Sequence, residues 1–313
     1  MTDEAFQHPS GRQHEIRHGD HRAVVVQVGG GLREYEVAGF PVVDGYGPTE
    51  IAHSGRGQTL MPWPNRLAGG RYRHAGQTYQ LPLSEPERGN AIHGLVRWQG
   101  WELGDSAPDR VRLGHMLWPR AGYPFTLALE VEYQLSEAGL RVEVSAENVG
   151  AYPAPYGAGQ HPYVRAQLGA VDGAVLRLPA ARFMEMDMRQ IPTGRLLDVA
   201  GSPFDFREPR PLGDTRLDTA FAALERDVDG MARMELRARS GERRVTVWLD
   251  RGFEYVMAFT GDTLSEPERR RSVALEPMTC APDAFNNHQG LLLLEPGQRT
   301  SASWGITVAT SAS

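Results

Sequence analysis

Apolar and polar positions along this chain alternate mostly with a period of two. From Thr126 to Leu135, the residues Leu127, Leu129, Val131, Tyr133 and Leu135 alternate with Thr126, Ala128, Glu130, Glu132 and Gln134. Side chains two apart share one face of a strand, so this run predicts a half-buried β-strand. Ser136-Glu137-Ala138-Gly139 supplies a turn, after which Leu140, Val142, Val144 and Ala146 resume against Arg141, Glu143, Ser145 and Glu147. The segment predicts a long antiparallel hairpin with one wet face. A second hairpin follows the same logic, with Met234, Leu236 and Ala238, a turn at Ser240-Gly241-Glu242, and a return through Val245, Val247 and Leu249. Arg22 to Val28 predicts a further apolar strand, closed by Gly29-Gly30-Gly31. No segment sustains an amphipathic helix over three turns. With 35 Gly and 22 Pro spread throughout, the pattern predicts an all-β fold with many turns.

Neither a low-complexity linker nor a repeat of fixed period divides the 313 residues. The expectation is one β domain over residues 21–313, preceded by a flexible polar tail over residues 1–20. A net charge of −6 argues against a nucleic-acid partner, which would require a basic patch. No apolar run approaches the roughly 18 residues of a membrane span. Met1 to His21 lacks the basic and apolar regions of a secretory signal, so a cytoplasmic protein is expected. Cys280 is the only cysteine, which excludes an intramolecular disulfide and fits a reducing compartment. It reads either as a catalytic thiol or as a small buried hydrophobe, and the second is the usual state of a free cysteine.

Candidate chemistry lies in a few stiff segments. Glu276 ends the apolar run Val273-Ala274-Leu275 and precedes Pro277; burial there would raise its pKa and make it a better base near neutral pH. The alternative is an edge carboxylate facing water. His161, in Gln160-His161-Pro162-Tyr163, is restrained by the following proline and suits a preset general acid. His93, in Asn90-Ala91-Ile92-His93-Gly94, taken alone fits a structural histidine at least as well. Met61-Pro62-Trp63-Pro64-Asn65-Arg66 presents an indole and a guanidinium, either as a sugar-binding pair or as a core Trp and a surface ion pair. Asp218, in Leu217-Asp218-Thr219-Ala220-Phe221, is either a turn residue or a buried acid that needs a ligand. No HExxH, Cys/His cluster or EF-hand spacing supports a metal site, and the Gly-rich stretches lack the context of a nucleotide cofactor.

In their order along the chain these pieces resemble the aldose 1-epimerase (galactose mutarotase-like) family. Asn65-Arg66, Asn90 to Gly94, His161-Pro162-Tyr163, Asp218 with Phe221, and Glu276-Pro277-Met278-Thr279 carry the likeness. Leu81 to Pro86 and His93 to Trp98 look closer to bacterial mutarotase-like subgroups. The resemblance implies a large antiparallel β-supersandwich with the sugar in an open cleft, and no cofactor. It assigns Glu276 as general base, His161 as general acid and His93 as a second active-site histidine. Arg66 and Asp218 become sugar-binding residues, with Asn65 and Gln160 beside them.

The implied reaction interconverts the α and β anomers of a free aldose. Glu276 would take the C1-hydroxyl proton while His161 protonates the ring oxygen, and roles would exchange on ring closure. This needs a charged imidazole, so Asp218 and Glu276 are expected to raise the pKa of His161. A phosphosugar or sulfosugar 1-epimerase is the near alternative, for which Arg97 and Arg71 are available cations. A glycosidase using Glu276 and Asp218 would leave both histidine motifs unexplained. A non-catalytic carbohydrate-binding protein would need neither Glu276 nor His161.

Overall fold

The computed structural model describes residues 7–310. The hairpin read from the strongest alternation is present: Leu127–Ser136 pairs with Gly139–Asn148 from Leu127↔Asn148 to Ser136↔Gly139. Leu127, Leu129, Val131, Tyr133 and Leu135 are all buried, while the residues between them are partly open to solvent. The second hairpin joins Ala232–Arg237 to Arg243–Leu249.

Both hairpins belong to one antiparallel sheet of nine strands. It runs Glu102–Ala107, Arg110–Leu117, Leu127–Ser136, Gly139–Asn148, Arg299–Thr310, Arg243–Leu249, Ala232–Arg237, Val175–Arg177 and Arg210–Pro211. The second large sheet runs Pro192–Asp198, Ala180–Met186, Asp218–Leu224, Tyr255–Phe259, Val273–Met278, Gly159–Gln160 and Thr59–Leu60, with Tyr163–Val164 also paired to Val273–Met278. Leu129, Val144 and Trp304 of the first sheet and Phe221, Val256 and Leu275 of the second share one hydrophobic core. The fold is the all-β, antiparallel supersandwich expected. Among the described residues the only helical segments are Val171–Gly173 and Ala284–Asn287, and no helix is long and apolar enough to cross a membrane.

Part of the segment expected as a tail, residues 1–20, is strand. Gln13–His18 forms a strand paired with His21–Val26. Its apolar signal is a single residue, Ile16, which is buried opposite Ala23. Backbone pairing and the contacts of Arg17 and Arg22 with Glu15 hold the rest, and neither leaves a hydrophobic period. Residues 1–6 of that tail lie outside the described residues.

Strand alternation also creates the site. Leu275 faces the core, so Glu276 faces the opposite side of the second sheet. Glu276 lies opposite Met257, and Asp218 opposite Phe259 on the neighbouring pair. All four line one cleft.

Candidate active site

Several segments converge on a cleft of about 620 Å³ whose walls include Asn65, Arg66, Glu85, His93, Arg97, Trp98, His161, Asp218 and Glu276. His161 leaves the short strand Gly159–Gln160, and its neighbour Pro162 accepts a hydrogen bond from Leu275 N at 3.2 Å. That places the His161 Nε2 atom 3.3 Å from Glu276 Oε1, with both side chains almost wholly buried. The imidazole stacks on Tyr163 at a centroid distance of 4.9 Å and an interplanar angle of 13°. Gly55 packs against its edge so closely that an added Cβ would sit 2.5 Å from His161 Cδ2.

His93 and Asn65 sit at the end of the ladder that joins Arg66–Ala68 to Asn90–Ile92. His93 N donates to Asn65 O at 2.9 Å, and Asn65 N donates to His93 Nδ1 at 3.2 Å. Both residues have positive φ, 56° and 62°, a conformation that side chains adopt only where the surroundings impose it. The His93 ring meets His161 edge-on at 5.4 Å. Arg66 is held by Glu85 through Nε at 2.8 and 3.1 Å and Nη2 at 2.9 Å. Asn90 Nδ2 donates to the same carboxylate at 3.2 Å. This geometry fixes the guanidinium plane and leaves Nη1 outside the clasp.

A family model described as aldose 1-epimerase matches residues 12–307. The chain is 36% identical to the uncharacterized protein YihR of Escherichia coli strain K12, over 93% of this chain and 91% of that one. It is 25% identical to the maltose epimerase of Levilactobacillus brevis, over 74% and 72% of the two chains. The chain belongs to the aldose 1-epimerase family. It is an isomerase of sugar anomers. A crystal structure of a GalM/aldose epimerase homologue from C. elegans superposes with a TM-score of 0.86 over 96% of this chain and 99% of that one; at 18% identity this likeness bears on the fold.

Within this aldose 1-epimerase, burial sets the proton balance of the site. It lowers the pKa of His161 to about 3, and Arg56, Arg97 and Arg66 push the same way, against a hydrogen bond to its own backbone. The raised value expected for His161 is therefore reversed, because desolvation and three guanidiniums outweigh the backbone hydrogen bond. Burial pushes Glu276 well above the ordinary carboxylate value, Asp218 adds to this, and Arg66 opposes it. Asp218 is itself raised by burial, with Arg66 and Arg88 opposing. Among the described residues Glu276 Oε2 has no hydrogen-bond partner, so the carboxyl has capacity left for a ligand.

The ligand-type atoms of His93, His161 and Glu276 lie within 4.8 Å of one another, a grouping that no linear spacing announces. Its donor chemistry does not suit a metal ion. Burial, then His161, Arg97 and Arg66, keep His93 neutral, and its Nδ1 accepts the Asn65 amide. The ring proton is thereby assigned to Nε2. Ligation through Nε2 would move that proton to Nδ1, against the amide hydrogen. His93 is instead built to donate a hydrogen bond.

One expectation fails on geometry. Gln160 does not reach the cleft: its Nε2 donates to Thr59 Oγ1 at 2.9 Å and Tyr133 OH at 2.7 Å, and its Oε1 accepts from Trp304 Nε1 at 2.7 Å. It is a buried tie between the two sheets. Trp63 is a core residue packed edge-on against Phe285 at 5.5 Å. Cys280 is fully buried, which raises its thiol to about 12 and fits the small-hydrophobe reading. Arg71 is exposed on the strand Arg71–His74 and does not line the cleft.

Sequence reasoning missed Glu85 and gave no role to Trp98. Glu85 lies 19 positions from Arg66, and nothing local marks the pair. Trp98, 46% exposed, is an aromatic side chain that lines the cleft.

Proposed function

We propose that this protein opens and recloses the ring of a free aldose at Glu276 and His161, with His93 and Arg66 binding the oxygens of the sugar. The observation that carries the reading is the 3.3 Å contact between two buried titratable groups in a cleft large enough for a sugar. The C1 hydroxyl and the ring oxygen share one carbon, so two groups in contact can serve both. Ring opening moves a proton from the C1 hydroxyl to Glu276 while His161 gives one to the ring oxygen. The bond from C1 to the ring oxygen breaks, and the open-chain aldehyde is left beside a neutral acid and a neutral imidazole. Rotation about C1–C2 and the reverse transfers produce the other anomer.

Burial favours that uncharged pair. The electrostatics of the site therefore match the state that accompanies the open chain, which is where stabilisation lowers a barrier. His93 Nε2–H can donate to the oxygen whose charge changes. A glycosidase would pair Glu276 with a second carboxylate across the scissile bond, whereas the group in contact with Glu276 is an imidazole.

Glu276→Gln keeps the shape of the acid and removes its proton transfer. Anomer exchange measured by NMR should fall by at least about 10²-fold, with sugar affinity within a few fold of wild type. Equal losses of rate and affinity would make Glu276 a residue that only holds the sugar.

Arg97 supports a narrower reading, an aldose bearing an anionic group. Its guanidinium is half-buried at the cleft, makes no ion pair or side-chain hydrogen bond among the described residues, and lies 5.6 Å from the Trp98 ring. Burial lowers its pKa, with the Glu85 carboxylate opposing. Arg97→Gln should then reduce kcat/KM for phosphorylated or sulfonated aldoses by roughly 10–100-fold and barely affect neutral ones. Equal loss on neutral sugars would refute the anionic preference.

A further inference from the structure

Behind the Tyr163 ring lies a buried charge cluster that the acid–base chemistry does not use. Arg56 is 1% exposed, and its Cζ atom is 4.5 Å from the Tyr163 centroid. Tyr163 stacks on His161, so guanidinium and imidazole both lie against the phenol ring and within about 10 Å of each other. The phenol is locked by donating to Ser54 O at 2.8 Å. Gly57 keeps the segment close, since a Cβ there would strike Leu32 O at 1.9 Å.

The acids near Arg56 are already occupied. Its Nη2 is 3.4 Å from Asp44 and its Nη1 3.4 Å from Glu268, while Nε and Nη1 have no hydrogen-bond partner. Asp44 also holds Arg165, Arg271 and the Ser272 hydroxyl, and Glu268 holds His53 and lies 3.7 Å from Arg271. Three guanidiniums thus share Asp44 and Glu268, with Glu50 acting on Arg271 and His53 and Tyr46 beside them. On its other sides His161 meets Glu276 and His93, with Arg66, Arg97 and Asp218 lining the same cleft.

We propose that Arg56 is a positioning residue for the epimerase reaction: it clamps the Tyr163 ring that stacks on the His161 imidazole and places a positive charge within about 10 Å of it. The inference rests on the acid–base reading of His161 and Glu276. The clamp fixes the direction of Nε2. The charge discourages a second proton on the pair, so Glu276 and His161 hold one proton between them over a wider pH range. Of the charges acting on His161, Arg56 lowers its pKa most, after burial itself and against the backbone hydrogen bond.

Arg56→Met retains the apolar stem and removes charge and plane. The acidic limb of the kcat/KM profile should move up by on the order of one pH unit, as expected for a charge within 10 Å at an effective dielectric constant near 20. It should also lower kcat with KM nearly unchanged, because Arg56 does not line the cleft. Arg56→Lys should keep the limb near its wild-type position while kcat falls, through loss of the stacking plane. Glu268→Gln, at a partly exposed residue, removes one acid and should move the limb the opposite way, to lower pH. NMR titration of the His161 imidazole reads the same shifts without turnover. A wild type lacking anomer exchange would defeat the acid–base reading. Exchange with limb and imidazole midpoint unmoved in both Arg56→Met and Glu268→Gln would defeat the role of Arg56 alone.

Discussion

A proton shared by Glu276 and His161 has two resting places, and burial chooses between them. Transfer to low dielectric penalises the carboxylate and the imidazolium alike, so the site prefers the neutral acid beside the neutral ring. Activity by the proposed route requires one proton on the pair, wherever it rests. The rate should therefore fall at low pH as the imidazole takes a second proton, and at high pH as the carboxyl loses its only one. Depression of His161 places the acidic limb below the ordinary imidazole value of about 6.5, and elevation of Glu276 places the alkaline limb above the ordinary carboxyl value of about 4.3. These limbs belong to the coupled pair. Asp218 raises Glu276, so Asp218→Asn should move the alkaline limb to lower pH in addition to weakening sugar binding. A profile of kcat/KM against pH checks this, and an unmoved limb with lost binding would confine Asp218 to holding the sugar.

At the level of elements, legibility followed the length of the alternation. The hairpin from Leu127 to Asn148 could be read in register because ten residues a side repeat one pattern. Thr59–Leu60, Gly159–Gln160 and Tyr163–Val164 could not: two residues have no period, and each is a strand only through partners far away in sequence. Yet these scraps carry His161 and the wall around it. Glu276, His161, His93, Arg66, Asp218 and Asn65 were legible through their order along the chain and the resemblance it carries, and all six line the cleft. Glu85 and Arg56 act through distant partners and leave no such mark. Gln160 shows the cost of inferring from adjacency, since neighbours on a strand point to opposite sides. Its amide ties Thr59 and Tyr133 to Trp304, so Gln160→Ala should strand buried polar groups and lower stability by about 2–4 kcal/mol. Denaturant unfolding measures that loss. KM for the sugar should hold, and a large rise in KM at unchanged stability would return Gln160 to the binding site.

Across the whole molecule, chain order and sheet order part company in a way that makes the C-terminal strand indispensable. Arg299–Thr310 is the last strand in sequence but lies between Gly139–Asn148 and Arg243–Leu249 in the nine-stranded sheet. Its Ala302, Trp304 and Ile306 side chains belong to the shared core, and Trp304 also reaches Gln160 of the facing sheet. Removing it would uncover two interior strand edges at once and take about 1.5–3 kcal/mol of burial with each large side chain. Against a total stability of roughly 5–15 kcal/mol, those losses together with the strand's hydrogen bonds exceed what the remaining sheet can bear. Each half of the split sheet would also offer unpaired backbone to another chain. A protein ending at Gln298 should therefore lose cooperative unfolding and aggregate, although no cleft residue is deleted. Trp304→Phe, which keeps the strand and forfeits one hydrogen bond, should unfold cooperatively at a lower denaturant midpoint. Sedimentation and denaturant titration of the two variants distinguish these outcomes. A monomeric, cooperatively folding chain that ends at Gln298 would mean that the core closes without its central strand.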